Sequence, residues 1–272
     1  MTLCFIHREL YRVVSVTGVR CWAQCPICRG RYLKHMVDVS HGLLETVLGM
    51  VKRGVRGVLI SGGFDRDLTL PVRLFLSDLH RVRPLLKAVS IHLGLQRSPR
   101  VLEEIRRLVD VVDVEFVSSD RDSMNIRGVE ARRYLETIEA MSEAGLPVVP
   151  HIFLWTPWRS VDDLVAELKL LKSMGFDRVA LLVLMDFGEP PQRIVEWLSR
   201  ARDAFDGELY LGCMRPRSAK VWLDRFAMSM GLVDRIANPL PRYWDLCDRV
   251  FDACCSIPSD KLMDFLARPL YR

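Results

Sequence analysis

Short aliphatic and β-branched runs alternate along this chain with longer stretches whose apolar positions recur at helical spacing. The runs VVSVTGV (13–19), GVLISGG (57–63), KAVSIHLG (87–94), VDVEFVSS (112–119), PVVPHIFL (147–154), RVALLVLM (178–185), ELYLGCM (208–214) and DRIANP (234–239) read as strands. The spacing predicts helices near 41–53, 72–83, 99–109, 129–144, 160–174, 191–205, 217–230 and 240–252. Near-continuous apolar strands between amphipathic helices imply a parallel sheet covered on both faces. Ser160 before VDDL and the pair Pro190-Pro191 mark helix starts, and Gly145 and Gly175 mark helix stops. Eight such units without a long polar linker predict one α/β domain, a (β/α)8 TIM-type barrel. Its core covers about 12–252, between a short N-terminal extension and a tail over 253–272, and the short last strand can leave it open there. In this architecture chemistry lies at the C-terminal ends of the strands.

The 272 residues are half apolar, enough for one large core, and hold no run of about 18 apolar residues of the kind a membrane helix needs. The start, MTLCFIHRELYRVV, is charged early and lacks the apolar stretch of a secretory leader. A cytoplasmic protein with neither membrane nor nucleic-acid partner is the expectation. The net charge of +5 is a solvated surface or an attraction to an acidic partner. Only seven of the 39 basic residues are lysine, and only two asparagines and three glutamines occur. Few heat-labile amides fit a thermophile, while GC-rich coding is an equal source of arginine.

Composition matters most at cysteine. In a reducing compartment eight cysteines point to metal or to chemistry before disulfides. Cys21, Cys25 and Cys28 form C-x3-C-x2-C on the loop leaving the first predicted strand, on the functional face. Three thiolates can hold three irons of a four-iron, four-sulfur cluster and leave the fourth iron open. Zinc, completed by His35 or His41, is the alternative, though the second C-x2-C pair of a structural zinc site is missing. The next strand ends in Ser61-Gly62-Gly63, where glycine admits close backbone approach. Polar groups mark other strand ends: Ser90, His92, Glu115, Ser118 and His151. Each has a buried, hydrogen-bonded structural role as its plain alternative.

The cysteine spacing after strand one of an α/β barrel, with the glycine-rich end of strand two, resembles the radical S-adenosylmethionine superfamily. Ile27 stands where that superfamily more often has an aromatic, and Phe64-Asp65 where a glutamate is common. The resemblance implies a 4Fe-4S cluster on Cys21, Cys25 and Cys28, and S-adenosylmethionine bound near Ser61, Gly62, Gly63, Ser90, His92 and Glu115. SVTGVRCWAQCPICRGRYL, GVLISGGFDRDLTLPV, VSIHLGLQ, VVPHIFLW and LYLGCMRPRS narrow it to the archaeal biotin-synthase-related proteins. One branch of these is similar to the smaller protein of the two-protein archaeal lipoyl synthase; LVLMDFGEPP (182–191) departs from its pattern.

That branch implies a sulfur-inserting transferase acting on an octanoyl group on a lysine of a carrier protein. A second radical S-adenosylmethionine protein and an electron donor such as ferredoxin would be its partners. Sulfur insertion implies an auxiliary iron–sulfur cluster, for which Cys213, Cys254 and Cys255 are the candidates and Cys4 the spare. Cys247, in a helical pattern, reads as core. Arg215 and Arg217 could neutralise a substrate carboxylate or an anionic cluster. The rivals are a radical reaction on a small molecule, biotin-synthase-like or other, and a non-enzymatic zinc-binding barrel subunit.

Overall fold

The structure, a computed structural model, describes residues 1–185 and 190–267; the LVLMDFGEPP turn lies partly outside these. Eleven strands occur among the described residues: β1 (Leu3–Ile6), β2 (Tyr11–Ser15), β3 (Val37–Asp38), β4 (Gly57–Ser61), β5 (Ala88–His92), β6 (Val111–Glu115), β7 (Val148–Trp155), β8 (Arg178–Val183), β9 (Glu208–Leu211), β10 (Arg235–Ala237) and β11 (Arg249–Asp252). The eight helices are α1 (Leu43–Lys52), α2 (Leu76–Val82), α3 (Pro99–Arg106), α4 (Asp120–Arg127), α5 (Arg132–Glu143), α6 (Val161–Ser173), α7 (Ile194–Ala204) and α8 (Arg217–Ser229). The strands form one sheet in the order β11-β1-β10-β9-β8-β7-β6-β5-β4-β2-β3, with every named pair parallel.

All eight predicted runs are strands, β2 and β4 to β10, in chain order along the sheet. Their apolar composition has the expected cause. Val58, Ile60, Val179 and Leu181 are wholly buried, with helices on one face and the inside of a curl on the other. Local signals hold where chemistry enforces them. The Ser160 hydroxyl accepts from the Asp163 N–H at 3.1 Å, completing a capping box for α6. Gly145 and Gly175 turn the chain with φ of 68° and 89°.

The closed (β/α)8 barrel needs correcting to a curled, open sheet. No pairing joins β11 or β1 to β2 or β3. Instead β1 lies between β10 and β11, opposite Arg235–Ala237 and Arg249–Asp252. The predicted helix over 240–252 is a 3-10 turn, Pro241–Leu246, followed by β11. There the free edge of β1 recruits an extended segment, and sheet pairing overrides the helical spacing of Tyr243, Trp244 and Cys247. The helix predicted at 129–144 begins later as α5, because Gly128 ends a separate helix, α4, at φ 70°.

The short link from β1 to β2 is held by one carboxylate. Asp252, at the end of β11, accepts from the backbone N–H groups of Arg8 (2.8 Å), Glu9 (2.6 Å) and Leu10 (2.7 Å). The tail then enters the inside of the curl. Cys254, Cys255, Ile257, Leu262 and Phe265 pack with Tyr11, Leu59, Val111 and Tyr210, inward residues of β2, β4, β6 and β9. Arg235 fixes the tail by donating to the carbonyls of Cys255 (2.9 Å) and Ile257 (2.7 Å). Among the described residues no helix is long and apolar enough to cross a membrane.

Cys4 and Cys247 form a disulfide, so Cys4 is withdrawn as a spare metal ligand and Cys247 is not a free core thiol. The β1–β11 pairing brings their Cα atoms to 5.7 Å across 243 residues of sequence. Denatured, unreduced and metal-free protein should therefore show six reactive thiols by colorimetric titration, and eight after reduction. Asp252→Ala should lower unfolding stability by about 3 kcal/mol, since it strips the acceptor from three backbone N–H groups; the denaturant midpoint measures this.

Candidate functional site: a thiol loop over a polar barrel interior

The loop from Val16 to Met36 leaves the C-terminal end of β2 and returns as β3 beside it. It carries Cys21 and Cys28, both partly exposed, and the buried Cys25. Its seat is the end of β4. A side chain at Gly63 would place Cβ 2.5 Å from Cys21 Cα and closer still to the Arg20 carbonyl oxygen, so only glycine lets the loop lie there. Two hydrogen bonds fix the contact: Trp22 N–H to the Phe64 carbonyl at 2.8 Å, and Gly63 N–H to Thr17 Oγ1 at 2.6 Å. A Cβ on Gly62 would meet Leu70, Thr17 and Val16 at 3.0 to 3.2 Å, a tight fit.

Cys25 has a cationic partner that its sequence neighbourhood does not reveal. Arg127, at the end of α4, donates from Nη1 to Cys25 Sγ at 2.7 Å. The same guanidinium grips Glu115 through Nε (3.0 Å) and Nη2 (2.8 Å), and the Tyr134 hydroxyl donates to Glu115 at 2.9 Å. Glu115 thus lies at the end of its strand as expected, but faces Arg127 and Tyr134. Burial pushes the Cys25 thiol up, and the Arg127 charge pulls against it. A hydrogen-bond network linking β6, α4 and α5 therefore bears directly on the middle thiol of the loop.

The other expected residues divide by depth. Ser61 and His92 are joined, Oγ to Nδ1 at 3.1 Å, and His92 Nε2 faces Asp113 Oδ2 at 3.8 Å. His151 Nδ1 lies 3.0 Å from the Val149 carbonyl and 4.0 Å from Asp113 Oδ1. Burial lowers the His92 pKa, favouring the neutral ring. Ser90 is fully buried and bonded to the Tyr11 hydroxyl at 2.6 Å, the hydrogen-bonded structural role that stood as its alternative. Ser118 is taken up by Glu167, to which its N–H and hydroxyl both donate.

Asp113 is the group that alternation alone did not single out. It sits mid-strand in VVDVE, its Oδ1 is buried without a hydrogen-bond partner, and its Oδ2 accepts from the Cys254 thiol at 3.8 Å. Cys254 also contacts Ser256 Oγ at 3.1 Å. A hydrogen bond with Cys255, then burial, then the Asp113 carboxylate hold the Cys254 thiol well above its ordinary pKa. Cys213, past the end of β9, keeps an exposed surface, while the packing around it and then Cys254 raise its pKa. Tyr32, on the thiol loop, is pushed up to about 12 by burial, with Cys28 and Cys213 adding to the rise. Cys213 thus stands in electrostatic reach of both the thiol loop and the tail. Beside it Lys220 is pulled down to about 8 by burial and Arg215. Arg215 is corrected from a substrate or cluster cation: it is fully buried and bidentate to Asp224 at 2.7 and 3.0 Å. Arg217 opens α8.

Among the described residues no three His, Cys, Asp or Glu side chains are already gathered to hold a metal ion. The donor chemistry nonetheless fits an iron–sulfur cluster. Three soft sulfurs share one loop, a side-chain-free seat lies beneath it, and a partly buried guanidinium offsets thiolate charge. A cavity of about 920 Å³ opens on the loop's outer side, lined by Arg20, Cys21, Trp22, His41, Gly63 and Asp78 among others.

No protein-family model matches this sequence, and no curated protein does. Solved structures do match in fold. Streptococcus suis SuiB superposes with a TM-score of 0.58 at 14% identity, over 79% of this chain and 52% of SuiB. HydG, a maturase of the [FeFe]-hydrogenase, gives 0.59 at 9%, over 86% of this chain and 56% of HydG. Methylornithine synthase, PylB, gives 0.58 at 14%, over 88% and 72%. SuiB is also known bound to S-adenosylmethionine. The curled parallel sheet is thus a fold shared with SuiB, HydG and PylB. The likeness is one of fold, and the chain spans about half the length of SuiB and HydG.

Gly63→Ala should leave the sheet intact by circular dichroism but unseat the loop. Anaerobic reconstitution should then retain less than a tenth of the wild-type iron and sulfide, whereas Gly49→Ala, whose Cβ would meet only the Arg53 guanidinium at 3.7 Å, should retain all of it.

Proposed function

We propose that the chain is a radical S-adenosylmethionine enzyme. The observation that carries this is the three-thiol loop seated on Gly63 at the C-terminal end of a curled parallel sheet. Cys21, Cys25 and Cys28 would hold a 4Fe-4S cluster, with S-adenosylmethionine beside Ser61, Gly62, Gly63 and His92. Of the remaining sequence expectations for that cofactor, Glu115 would act through Arg127 and Ser90 through packing alone. When bound, the cluster would supply the electron that cleaves S-adenosylmethionine to a 5′-deoxyadenosyl radical. The chain's own work is to seat the loop, hold a positive charge at Cys25, and shield the space inside the curl from water.

Within that class we favour sulfur insertion of the lipoyl-synthase-like type on an octanoyl group borne by a carrier-protein lysine. A second radical S-adenosylmethionine subunit and a ferredoxin-like donor would be the partners. Its support is the Cys254-Cys255 pair that the tail carries inside the curl, with Cys213 in electrostatic reach of Cys254. SuiB has been seen with its precursor peptide SuiA, so this fold admits a protein-borne substrate. One observation favours a second alternative, a small polar substrate. The floor offers Asp113, His92 and His151, and a charged floor suits polar groups better than a saturated chain.

Anaerobic protein should bind iron and sulfide in equal amounts. Alanine at Cys21, Cys25 and Cys28 should abolish 5′-deoxyadenosine formation, measured by chromatography. Stoichiometric zinc without sulfide would overturn the class. For the finer proposal, wild-type should carry about eight irons and the Cys213→Ala/Cys254→Ala/Cys255→Ala variant about four, the share of one cluster. That variant should still form 5′-deoxyadenosine but add no sulfur to an octanoyl-lysine peptide by mass spectrometry. Four irons in both proteins, with nucleoside formation intact, favours the small-molecule alternative.

A further inference from the structure

A second cavity, of about 340 Å³, is walled by the segments that follow β4 and β5 and by the start of α5. The stretch 64–75 lines both this cavity and the one beside the thiol loop. Three arginines from three segments meet here: Arg73 before α2, Arg97 before α3 and Arg133 in the first turn of α5. Asp67, exposed, is the one acidic residue in the lining. Among the described residues no carboxylate pairs with Arg73 or Arg133. Arg97 shares Glu136 with Arg132, which donates to the same carboxylate at 2.7 Å. The lining therefore carries three positive charges against one negative.

Hydrogen-bond donors at this cavity also lack acceptors. Arg133 donates from Nη2 to the Asp67 carbonyl at 3.0 Å, but its Nε is buried with no partner. A buried donor left unpaired marks a place for an acceptor that the chain itself does not supply. Helix α3 opens on the same space, with Ser98 as its N-cap and Val101 in its first turn. The N–H groups of Arg100 and Val101 have no carbonyl within the helix to bond, and the Ser98 hydroxyl does not cap them. The facing wall is fixed in advance. Asp65 accepts from the N–H groups of Asp67 (3.0 Å) and Thr69 (2.9 Å) and from the Thr69 hydroxyl (2.9 Å), and the Leu95 N–H donates to the Leu68 carbonyl at 2.9 Å.

We propose that this cavity binds the phosphate group of a small-molecule phosphate monoester. Arginine forks match phosphate oxygens two at a time, and a helix N-terminus adds backbone donors. A dianion answers the surplus of two positive charges. The volume lies at the lower end of ligand pockets, about 300–1,000 Å³, and admits a phosphate with a short carbon chain. Leu95 and Val101, both buried, give that chain an apolar wall. None of the lining residues is aromatic, so a nucleobase would find no stacking surface. The site is independent of the iron–sulfur reading, because none of its residues is a cysteine of the loop.

The test is calorimetric titration of the full chain at constant ionic strength. Glycerol 3-phosphate should bind roughly tenfold more tightly than acetate, and more tightly than inorganic phosphate. Binding should weaken as the pH falls from about 7.5 to about 5, because the ester loses its second charge near pH 6 while the arginines keep theirs. Arg73→Glu, at an exposed residue, should keep the wild-type circular dichroism and lose roughly tenfold or more in affinity. Arg133→Lys, which keeps the charge but not the fork, should also bind more weakly. Arg53→Glu, exposed just beyond α1, should bind as wild-type does. Equal affinity for glycerol 3-phosphate and acetate, or wild-type affinity in Arg73→Glu, would overturn the proposal. Inorganic phosphate binding as tightly as the ester would assign the cavity to free phosphate, and a phosphoserine peptide binding more tightly would assign it to a protein; either result overturns the small-molecule ester. Protein that takes up no iron and sulfide yet binds glycerol 3-phosphate would overturn the cluster reading and uphold this one.

Discussion

The backbone of Arg20 and Cys21 occupies the space a side chain at residue 63 would fill. That single steric fact sets the rest of the site. It brings the end of β4 against the loop leaving β2, so two neighbouring strands present one surface. It also decides where the thiols can be, because the Trp22 N–H is tied to the Phe64 carbonyl and the Gly63 N–H to Thr17 Oγ1 across the contact. From there Cys25 reaches Arg127, and Arg127 reaches Glu115 and Tyr134. A largely buried guanidinium shared between a carboxylate and a sulfur is costly to break, since either partner's loss leaves charge poorly compensated. The loop therefore has two anchors of different kinds, one made by the absence of a side chain and one by a charge network.

Beneath the loop the interior changes character with depth. At the level of His92, Asp113 and His151 it is polar, with an unpartnered carboxylate oxygen. Below that it is closed by the tail, whose Ile257, Leu262 and Phe265 fill the lower curl. Cys254 and Cys255 sit at the boundary of these layers. The Cys254 thiol is held protonated by its hydrogen bond with Cys255 and by the same packing, because a tail folded inward takes it out of water.

Much of this was legible in the sequence. Eight buried parallel strands announce themselves through unbroken aliphatic runs, and ISGG through its lack of Cβ atoms at a strand end. What was not legible depends on pairing between distant segments. LCFI is too short to be periodic, and RVFD reads as helix until β1 offers it an edge. Arg127 and Cys25 are 102 residues apart, and Asp113 looks like one polar residue in an apolar strand. The disulfide was hidden for the same reason, and a reducing-compartment argument pointed away from it. The inward path of the tail could not be read because its apolar residues have no period that names a partner.

The position of β1 also sets an order of events. Of the eleven strands this one is made before the others, yet its partners Arg235–Ala237 and Arg249–Asp252 are made after them. During synthesis β2 to β9 can assemble as they emerge, while the opening segment must wait, extended and unpaired, with Cys4 as a free thiol. The sheet is then completed in one late step in which β1, β10, β11, the Asp252 clamp and the tail close together. Such a molecule would be most exposed to misassociation just before that step, and a delay in making β10 and β11 would lengthen the interval.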